Sequence, residues 1–247
     1  MRKKSKKKKD KAKKALLTIF FIFVICSILT FLSYAGILRK SIASDCPESI
    51  RTFVKKYPEA ISLVENYKEY SERTADMELS VEDMENEIPL LIQWDKRWAY
   101  YWYGDDYFGT NGCGPTCMAM VYSGLTGNSD WSPARMGDWA EEHGYYYDGA
   151  GTTWSFINEG AKELGLEATE ISMMESMIMQ ALSDGCPIIC NVGPGIFTKG
   201  GHYIVLAGLY DDGTIRINDP NSPKNSVRHW ELNEFKDQVR AAWIFNY

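Results

Sequence analysis

The stretch Gly112-Cys113-Gly114-Pro115-Thr116 decides how the rest of the sequence is interpreted. Its two glycines leave the backbone around Cys113 accessible, and Pro115 is preorganised for the first turn of a helix. Cys113 is therefore expected at a helix N-terminus, where the macrodipole and the free amide groups favour a thiolate over a thiol. The thiolate is the nucleophilic form, so the stretch predicts a reactive Cys113. A purely structural cysteine beside a glycine turn is the competing interpretation.

The N-terminal region is predicted to be a membrane anchor. Residues 2–14 contain ten basic residues, and the 24 residues from 15 to 38 carry no charge. A bilayer core needs about 20 apolar residues in a helix, which segment 15–38 supplies. A cleaved signal peptide is the alternative, but its apolar core usually spans only about 7 to 15 residues. Because the basic residues precede the span, residues 1–14 are predicted to be cytoplasmic and the rest extracytoplasmic.

The charge of the chain changes once the basic tail is set aside. The whole sequence has a net charge of −6, whereas residues 15–247 hold 17 basic and 32 acidic residues, a net charge of −15. A region with this negative charge repels the phosphate backbone of nucleic acid, so nucleic acid is excluded as a partner. The lysine-rich tail is predicted to lie on anionic lipid at the inner face of the membrane.

Five of the six cysteines follow the predicted anchor, and this odd number is compatible with one free reactive thiol. The pairs Cys113/Cys117 and Cys186/Cys190 have the same C-x3-C spacing, which raises the alternative of a four-cysteine zinc site. Structural zinc pairs usually lie on tight knuckles, whereas these pairs are predicted on a helix and a strand. We therefore expect no metal and no cofactor, and the spacing does not determine any disulfide pairing.

Two regions follow the predicted anchor. Residues 39–87 are polar and read as a helical stalk or spacer, with apolar residues at helical spacing on either side of Pro58. Residues 88–247 are dense in aromatic residues, glycines and turn signals, and are long enough for one domain with a substantial core. In that domain, caps and glycine stops predict helices over residues 115–123, 133–142, 153–164 and 173–183.

Four strands are predicted after these helices, over residues 187–192, 202–210, 214–218 and 242–245. Asp211-Asp212-Gly213 is a strong hairpin turn between the second and third of them. Helices first and antiparallel strands second is the order of an α+β fold, behind a single transmembrane helix.

In this layout Cys113 opens the first helix, His202 opens one hairpin strand, and Asp219 follows its partner strand. A thiol, an imidazole and a carboxylate in that order predict a nucleophile, its base and the residue that orients the base. Asn218 is the alternative orienting residue. A tight turn places Asp219 opposite Val205 or Leu206, so contact with His202 requires twist, a bulge or a bend at the strand end.

Gln93, in Gln93-Trp94-Asp95, is the candidate side-chain donor for an oxyanion, together with the backbone N–H of Cys113. The loop between Gln93 and Cys113 is rich in tryptophan, tyrosine and phenylalanine. These aromatic residues are expected mainly in the core and in a hydrophobic wall, with a substrate groove as the alternative.

Four separated motifs resemble the stand-alone relatives of the double-glycine peptidase domain of bacteriocin-exporting transporters, over about residues 88 to 247. They are Gln93-Trp94-Asp95-Lys96-Arg97-Trp98, Gly112-Cys113-Gly114-Pro115-Thr116, Gly201-His202-Tyr203-Ile204-Val205-Leu206 and Asn218-Asp219-Pro220. The resemblance implies a papain-like cysteine peptidase fold with N-terminal helices and a C-terminal antiparallel sheet. It also implies that Cys113 is the nucleophile, His202 the base, Asp219 the orienting acid and Gln93 the oxyanion donor.

The resemblance does not supply the substrate. The transporter-linked relatives carry a nucleotide-binding domain, but no phosphate-binding P-loop occurs here, so ATP-driven export is not expected of this chain. Their peptidase domain is cytosolic, whereas the charge bias predicts an extracytoplasmic domain here. The sequence thus predicts a membrane-anchored cysteine peptidase acting on peptides or proteins. A peptidoglycan stem-peptide endopeptidase or amidase and a non-catalytic peptide-binding surface domain are the alternatives.

Overall fold

The computed structural model describes residues 20–21, 24–25 and 45–247 of the chain. Cys46–Tyr247 form one compact unit. The predicted anchor over 15–38 falls almost entirely outside the described residues, so it stays a prediction. Within the described ranges, no helix is both long enough and apolar enough to cross a bilayer.

Two helices open the compact unit. Helix α1 covers Glu48–Lys56 and helix α2 covers Ser62–Tyr70, with a 3-10 turn at Pro58–Ile61 between them. Ile50 in α1 and Leu63 in α2 have no exposed surface, because the apolar stripe of each helix packs on the unit behind it. These helices are therefore packed parts of the unit that contains the candidate site.

The helical half continues with short hairpins and longer helices. In chain order these are β1 (Trp102–Tyr103), β2 (Asp106–Tyr107), α3 (Phe108–Asn111), α4 (Cys113–Thr126), α5 (Pro133–Glu142), β3 (Tyr146–Tyr147), β4 (Gly151–Thr152), the π-helical turn Phe156–Gly160 and α6 (Ala161–Glu163).

Local signals account for the ends of the two main helices. The Ser132 side chain accepts a hydrogen bond from the backbone N–H of Arg135, and α5 has the predicted bounds. Helix α4 ends at Gly127, whose φ of 70° is readily adopted by glycine. It begins two residues before the predicted start, at Cys113, and continues through Gly124 to Thr126, three residues beyond the predicted end. The helix predicted over 153–164 is observed as a continuous helical stretch over 154–163, in which Phe156–Gly160 is a π-helical turn that leads into α6.

The second half is a six-stranded sheet with strand order β5-β10-β6-β7-β8-β9, in which each described neighbouring pair is antiparallel. Its elements, in chain order, are β5 (Glu167–Ile171), α7 (Glu175–Ser183), β6 (Ile188–Val192), β7 (His202–Leu209), β8 (Ile215–Asn218), α8 (Pro223–Ser226), β9 (His229–Trp230) and β10 (Val239–Asn246). The helices-then-strands order of the predicted α+β fold is thus observed.

Two elements depart from the sequence prediction. Strand β5 was not predicted, because this edge strand is largely exposed and lacks a run of apolar residues. Helix α7 begins at Glu175 rather than at residue 173, and the Ser172 side chain does not cap it. Strand pairing and packing determine both features, and neither leaves a strong local signal.

The centre of the sheet is buried on both faces. Ile189 and Val205 contribute to one hydrophobic cluster with α4 and α5, whereas Ile188 and Ile204 contribute to the other with α7. Alternate strand residues point to opposite faces, so both clusters share the same strands. The first cluster holds α4 against β7, and this packing brings the N-terminus of α4 to the beginning of β7.

Candidate active site

Cys113 is the first residue of α4 and is half-buried. Gly114, the next residue, allows the N-terminus of α4 to approach β4 closely. A Cβ atom on Gly114 would lie 2.7 Å from the Cβ atom of Thr152, so only glycine fits there without displacing the β4 strand. The glycine-rich stretch thus places a thiol at a helix N-terminus and packs that end tightly against the domain.

His202 is the first residue of β7, where it pairs with Val192 of β6, and it is 5% exposed. On one side its side chain faces the Cys113 thiol, and the two groups shift each other's pKa. On the other side its Nε2 lies 2.8 Å from Oδ1 of Asp219. Since Asp219 occupies Nε2, the remaining ring nitrogen, Nδ1, is the one that faces the sulfur.

The structure shows how Asp219 reaches His202. Asn218 is the residue opposite Val205, so the predicted register of Asp219 was wrong by at least one position. A bulge between Leu206 and Gly208 shifts the pairing, and Gly208 has a φ of 146°. A bulge adds a residue to one strand and bends it. Asp219 lies just beyond the end of β8, where its carboxylate meets the beginning of β7.

Asn218, the alternative orienting residue, does not contact His202 in the structure. Its Nδ2 donates to the carbonyl oxygens of Ile88 and Pro89, at 3.1 and 3.0 Å. The amide therefore ties the strand end to the segment that precedes Gln93. Of the two neighbouring residues, Asp219 is the one beside the imidazole.

The electrostatics favour an ion pair between Cys113 and His202. Burial by itself raises the pKa of the Cys113 thiol, but the hydrogen bond and charge of His202, with the backbone amides of Tyr203 and Gly114, bring it below its ordinary value. Burial by itself lowers the pKa of His202, but the charge and hydrogen bond of Asp219, with those of Cys113, raise it to about 10. The site therefore stabilises thiolate and imidazolium together.

Gln93 is 2% exposed and lines the same cavity as Cys113 and His202. Its backbone N–H donates to the carbonyl oxygen of Pro220 at 2.8 Å, and its Nε2 donates to that of Gly109 at 3.0 Å. An amide nitrogen carries two hydrogens, so one N–H of Nε2 is left for a further acceptor. The structure thus brings Gln93, Cys113, His202 and Asp219 together.

A cavity of about 540 Å³ opens beside Cys113. One side of it comes from α1 and the residue after it, through Glu48, Ser49, Thr52, Phe53, Lys56 and Tyr57. A second cavity, of about 250 Å³, adjoins it and shares Lys56, Tyr57 and Asn221. The Tyr57 hydroxyl lies 3.0 Å from Oγ1 of Thr198, which links this side to the loop before His202. Part of the predicted spacer, residues 39–87, therefore lines the cleft.

The other two histidines are outside this cleft. His143 stacks on Trp139, with ring centroids 4.1 Å apart. His229 stacks on Tyr210 and forms an ion pair with Asp212. Among the aromatic residues before Cys113, Trp98, Tyr103 and Phe108 are buried in the core, as predicted, whereas Trp102 is 55% exposed.

The five cysteines in the described part of the chain are Cys46, Cys113, Cys117, Cys186 and Cys190, and none is in a disulfide. The odd number therefore does not distinguish Cys113 from the others. Its surroundings do, because burial raises the pKa of Cys117 well above its ordinary value. Cys117 lies one turn further along α4, without an imidazole beside it.

Two asparagines that the sequence analysis missed contact Asp219. The backbone N–H of Asn221 donates to Oδ1 at 2.9 Å, and Nδ2 of Asn225 donates to Oδ2 at 2.7 Å. Asp219 has no exposed surface, and its two oxygens together accept three hydrogen bonds. The only signal in the sequence was the density of turn-forming residues after Asp219, which indicates a turn but not its contacts.

Comparison with solved structures found six similar chains, which include the following two. One is the peptidase domain of Streptococcus ComA, a bi-functional ABC transporter involved in a quorum-sensing pathway. It is 25% identical, with a TM-score of 0.43, over 56% of this chain and 93% of that one. The other, described as a C39-like peptidase from Bacillus anthracis, is 16% identical, with a TM-score of 0.42, over 70% of this chain and 98% of that one.

No curated protein matches the chain. The model of the family described as "Peptidase_C39 like family" matches residues 85–245, well over half of the sequence. This range contains all four residues that meet at the cleft, and it agrees with the resemblance seen in the sequence motifs. The chain belongs to the Peptidase_C39-like family.

Proposed function

We propose that this protein is a cysteine peptidase that hydrolyses peptide bonds with Cys113 as nucleophile, His202 as acid and base, and Asp219 as the orienting carboxylate. One observation carries the proposal. A thiol with a lowered pKa, an imidazole and a buried carboxylate are in consecutive contact at an open cleft. A thiol oriented in this way is activated for acyl transfer.

In the proposed acylation step, the Cys113 thiolate forms a bond from sulfur to the scissile carbonyl carbon. The carbonyl oxygen becomes an oxyanion, and the imidazolium of His202 gives its Nδ1 proton to the leaving nitrogen. The C–N bond breaks and the amine product departs, which leaves a thioester on Cys113. Water then gives a proton to His202 and attacks the thioester, releasing the carboxylate product and the thiolate.

The shape of the cleft supports a peptide substrate. The two cavities lie side by side, since both are lined by Lys56, Tyr57 and Asn221, and the larger one reaches Cys113 and His202. An extended chain, which advances about 3.4 Å per residue, suits a cleft of this kind. The family membership independently favours a peptide or protein substrate.

The pH dependence of thiol labelling tests the activated thiolate. We expect iodoacetamide to label Cys113 with an apparent pKa below the ordinary thiol value of about 8.5, because His202 stabilises the thiolate. Hydrolysis also needs the imidazolium, so kcat/KM should rise through the lowered thiol pKa and fall again only above the ordinary histidine value of about 6.5. Labelling that follows an ordinary thiol titration would contradict the proposal.

Gln93 is proposed to donate its remaining Nε2 hydrogen to the oxyanion, together with the backbone N–H of Cys113. Removing one such donor typically lowers kcat by about 10² to 10³. We therefore expect Gln93→Ala to lower kcat by about that factor while the pH dependence of iodoacetamide labelling stays as in the wild type. Steady-state kinetics with a fluorogenic peptide measures the first, and a change in kcat below threefold would remove Gln93 from the mechanism.

We also propose that residues 15–38 anchor the protein in the cell membrane with the catalytic domain outside. The support is the uncharged 24-residue run and the ten basic residues before it. Protease shaving of intact cells tests this topology. Degradation of the C-terminal domain is expected, and its protection would overturn the orientation.

A further inference from the structure

The second oxygen of the Asp219 carboxylate is held by a residue outside the three proposed catalytic groups. Oδ1 accepts from His202 and from the backbone of Asn221, whereas Oδ2 accepts from Nδ2 of Asn225 at 2.7 Å. A carboxylate with both oxygens engaged has its rotation about the Cβ–Cγ bond fixed. In a fully buried group, an oxygen without a partner is costly, so this bond decides where Oδ1 points.

Asn225 lies on α8, a helix of only four residues. A single turn is not stable by itself and needs external support. Oγ of Ser222 accepts from the backbone N–H of Asn225 at 3.2 Å, and Nε1 of Trp230 donates to its carbonyl oxygen at 2.8 Å. The backbone of Asn225 is therefore held on both sides.

The remaining support comes from the segment between α1 and α2. Oε1 of Glu59 accepts from Oγ of Ser222 at 2.8 Å, and Oε2 accepts from the backbone N–H of Lys224 at 3.1 Å. One carboxylate, more than 160 positions away in the chain, thus holds the beginning of α8 through both of its oxygens. Glu59 also precedes the range that the family model matches.

We propose that Asn225 is a positioning residue for Asp219, and that Glu59 positions Asn225 by holding α8 in place. The chain of contacts runs from Glu59 through Ser222 and Lys224 to Asn225, and from there to Asp219 and His202. This inference rests on the proposed function for its catalytic consequence. It assigns to the N-terminal segment a part in orienting the site, in addition to lining the cleft.

The pKa of His202, measured by NMR on histidine-labelled full-length protein, tests the proposal without requiring turnover. The chain has three histidines, so the signals are few. Asp219 and Cys113 both raise the pKa of His202, and the charged side chains of Glu48, Lys56 and Asp106 line the same cavity. Without the Asn225 amide, the Asp219 carboxylate can rotate away from Nε2 of His202, and the imidazolium loses stabilisation. The His202 pKa should therefore fall by roughly half a unit to one unit in Asn225→Ala.

Asn225→Asp separates positioning from packing, since it keeps the shape of the side chain but removes the N–H donors and places a second carboxylate beside Oδ2. We expect this variant to lose at least about 10-fold in kcat with KM within twofold of the wild type. Asn233→Asp, at an exposed position in the turn that follows β9, is the matched control and should behave as the wild type.

Glu59→Ala should lower kcat and the His202 pKa in the same direction as Asn225→Ala but by less, about 3- to 10-fold in kcat, because Ser222 and Trp230 still hold α8. Glu72→Ala, at an exposed glutamate beyond α2, is its control. Folded Asn225 and Glu59 variants with wild-type His202 titration would overturn the proposal. If the wild type shows no hydrolysis while these titrations shift, the proposed function fails and the positioning chain stands.

Discussion

Replacing Cys113 by alanine is expected to abolish both peptide hydrolysis and labelling by an epoxysuccinyl probe. The sulfur is the atom that forms the covalent intermediate, and no other described cysteine lies beside an imidazole. Removing the nucleophile of such a constellation typically costs about 10⁴-fold or more in kcat. Steady-state hydrolysis of a peptide substrate and mass spectrometry of the labelled protein measure the two effects.

Cys117→Ala is the matched control, since Cys117 lies one turn along the same helix. It has no exposed surface, and burial holds its pKa well above the ordinary range, so it should remain a thiol at neutral pH. Activity and labelling should therefore stay close to the wild type in this variant. Labelling that survives in Cys113→Ala, or disappears in Cys117→Ala, would contradict the assignment of Cys113 as the nucleophile.

Replacing His202 by alanine is expected to reduce hydrolysis by about 10³- to 10⁴-fold and to make Cys113 behave as an ordinary or weaker thiol. In the wild type, burial raises the pKa of Cys113, and the imidazolium together with the backbone amides of Tyr203 and Gly114 more than compensates for it. Without the imidazole the effect of burial dominates, so the thiolate forms only at higher pH. Iodoacetamide labelling at pH 6 to 7 should slow strongly, and the loss should diminish as the pH rises.

His229→Ala provides the comparison for the histidine variant. His229 is exposed, stacks on Tyr210 and pairs with Asp212, and it is remote from the cleft. Its removal should leave both the rate and the pH dependence of labelling unchanged. A His202→Ala protein that is labelled as fast as the wild type at pH 6 would show that the imidazole does not activate the sulfur.

Several features of the fold were predicted from the sequence because their causes are local. Ser132 and the proline after it specify where α5 begins. The strands that begin near Ile188 and at His202 were predicted from apolar and β-branched runs. Each of these signals lies within a few residues of the element that it specifies.

Strand β5 and the register of β8 were not predicted correctly, since they depend on partners far along the chain. The polar strand β5 forms because β10 pairs with it. The position of Asp219 depends on a bulge between Leu206 and Gly208 that no local signal specified. A shift of this kind changes which side chains meet across a hairpin.

By itself, the sequence determined the candidate nucleophile at a helix N-terminus, the candidate histidine at the start of a strand, and the family to which both motifs belong. Only the tertiary structure decided that Asp219 rather than Asn218 lies beside the imidazole, that α1 lines the cleft, and that Glu59 and Asn225 hold α8 and Asp219. Caps, turns and strand patterns act over a few residues and can be read from the chain, whereas these contacts join segments up to 165 positions apart. Such contacts exist only after packing has fixed the register of the strands and the position of the helices.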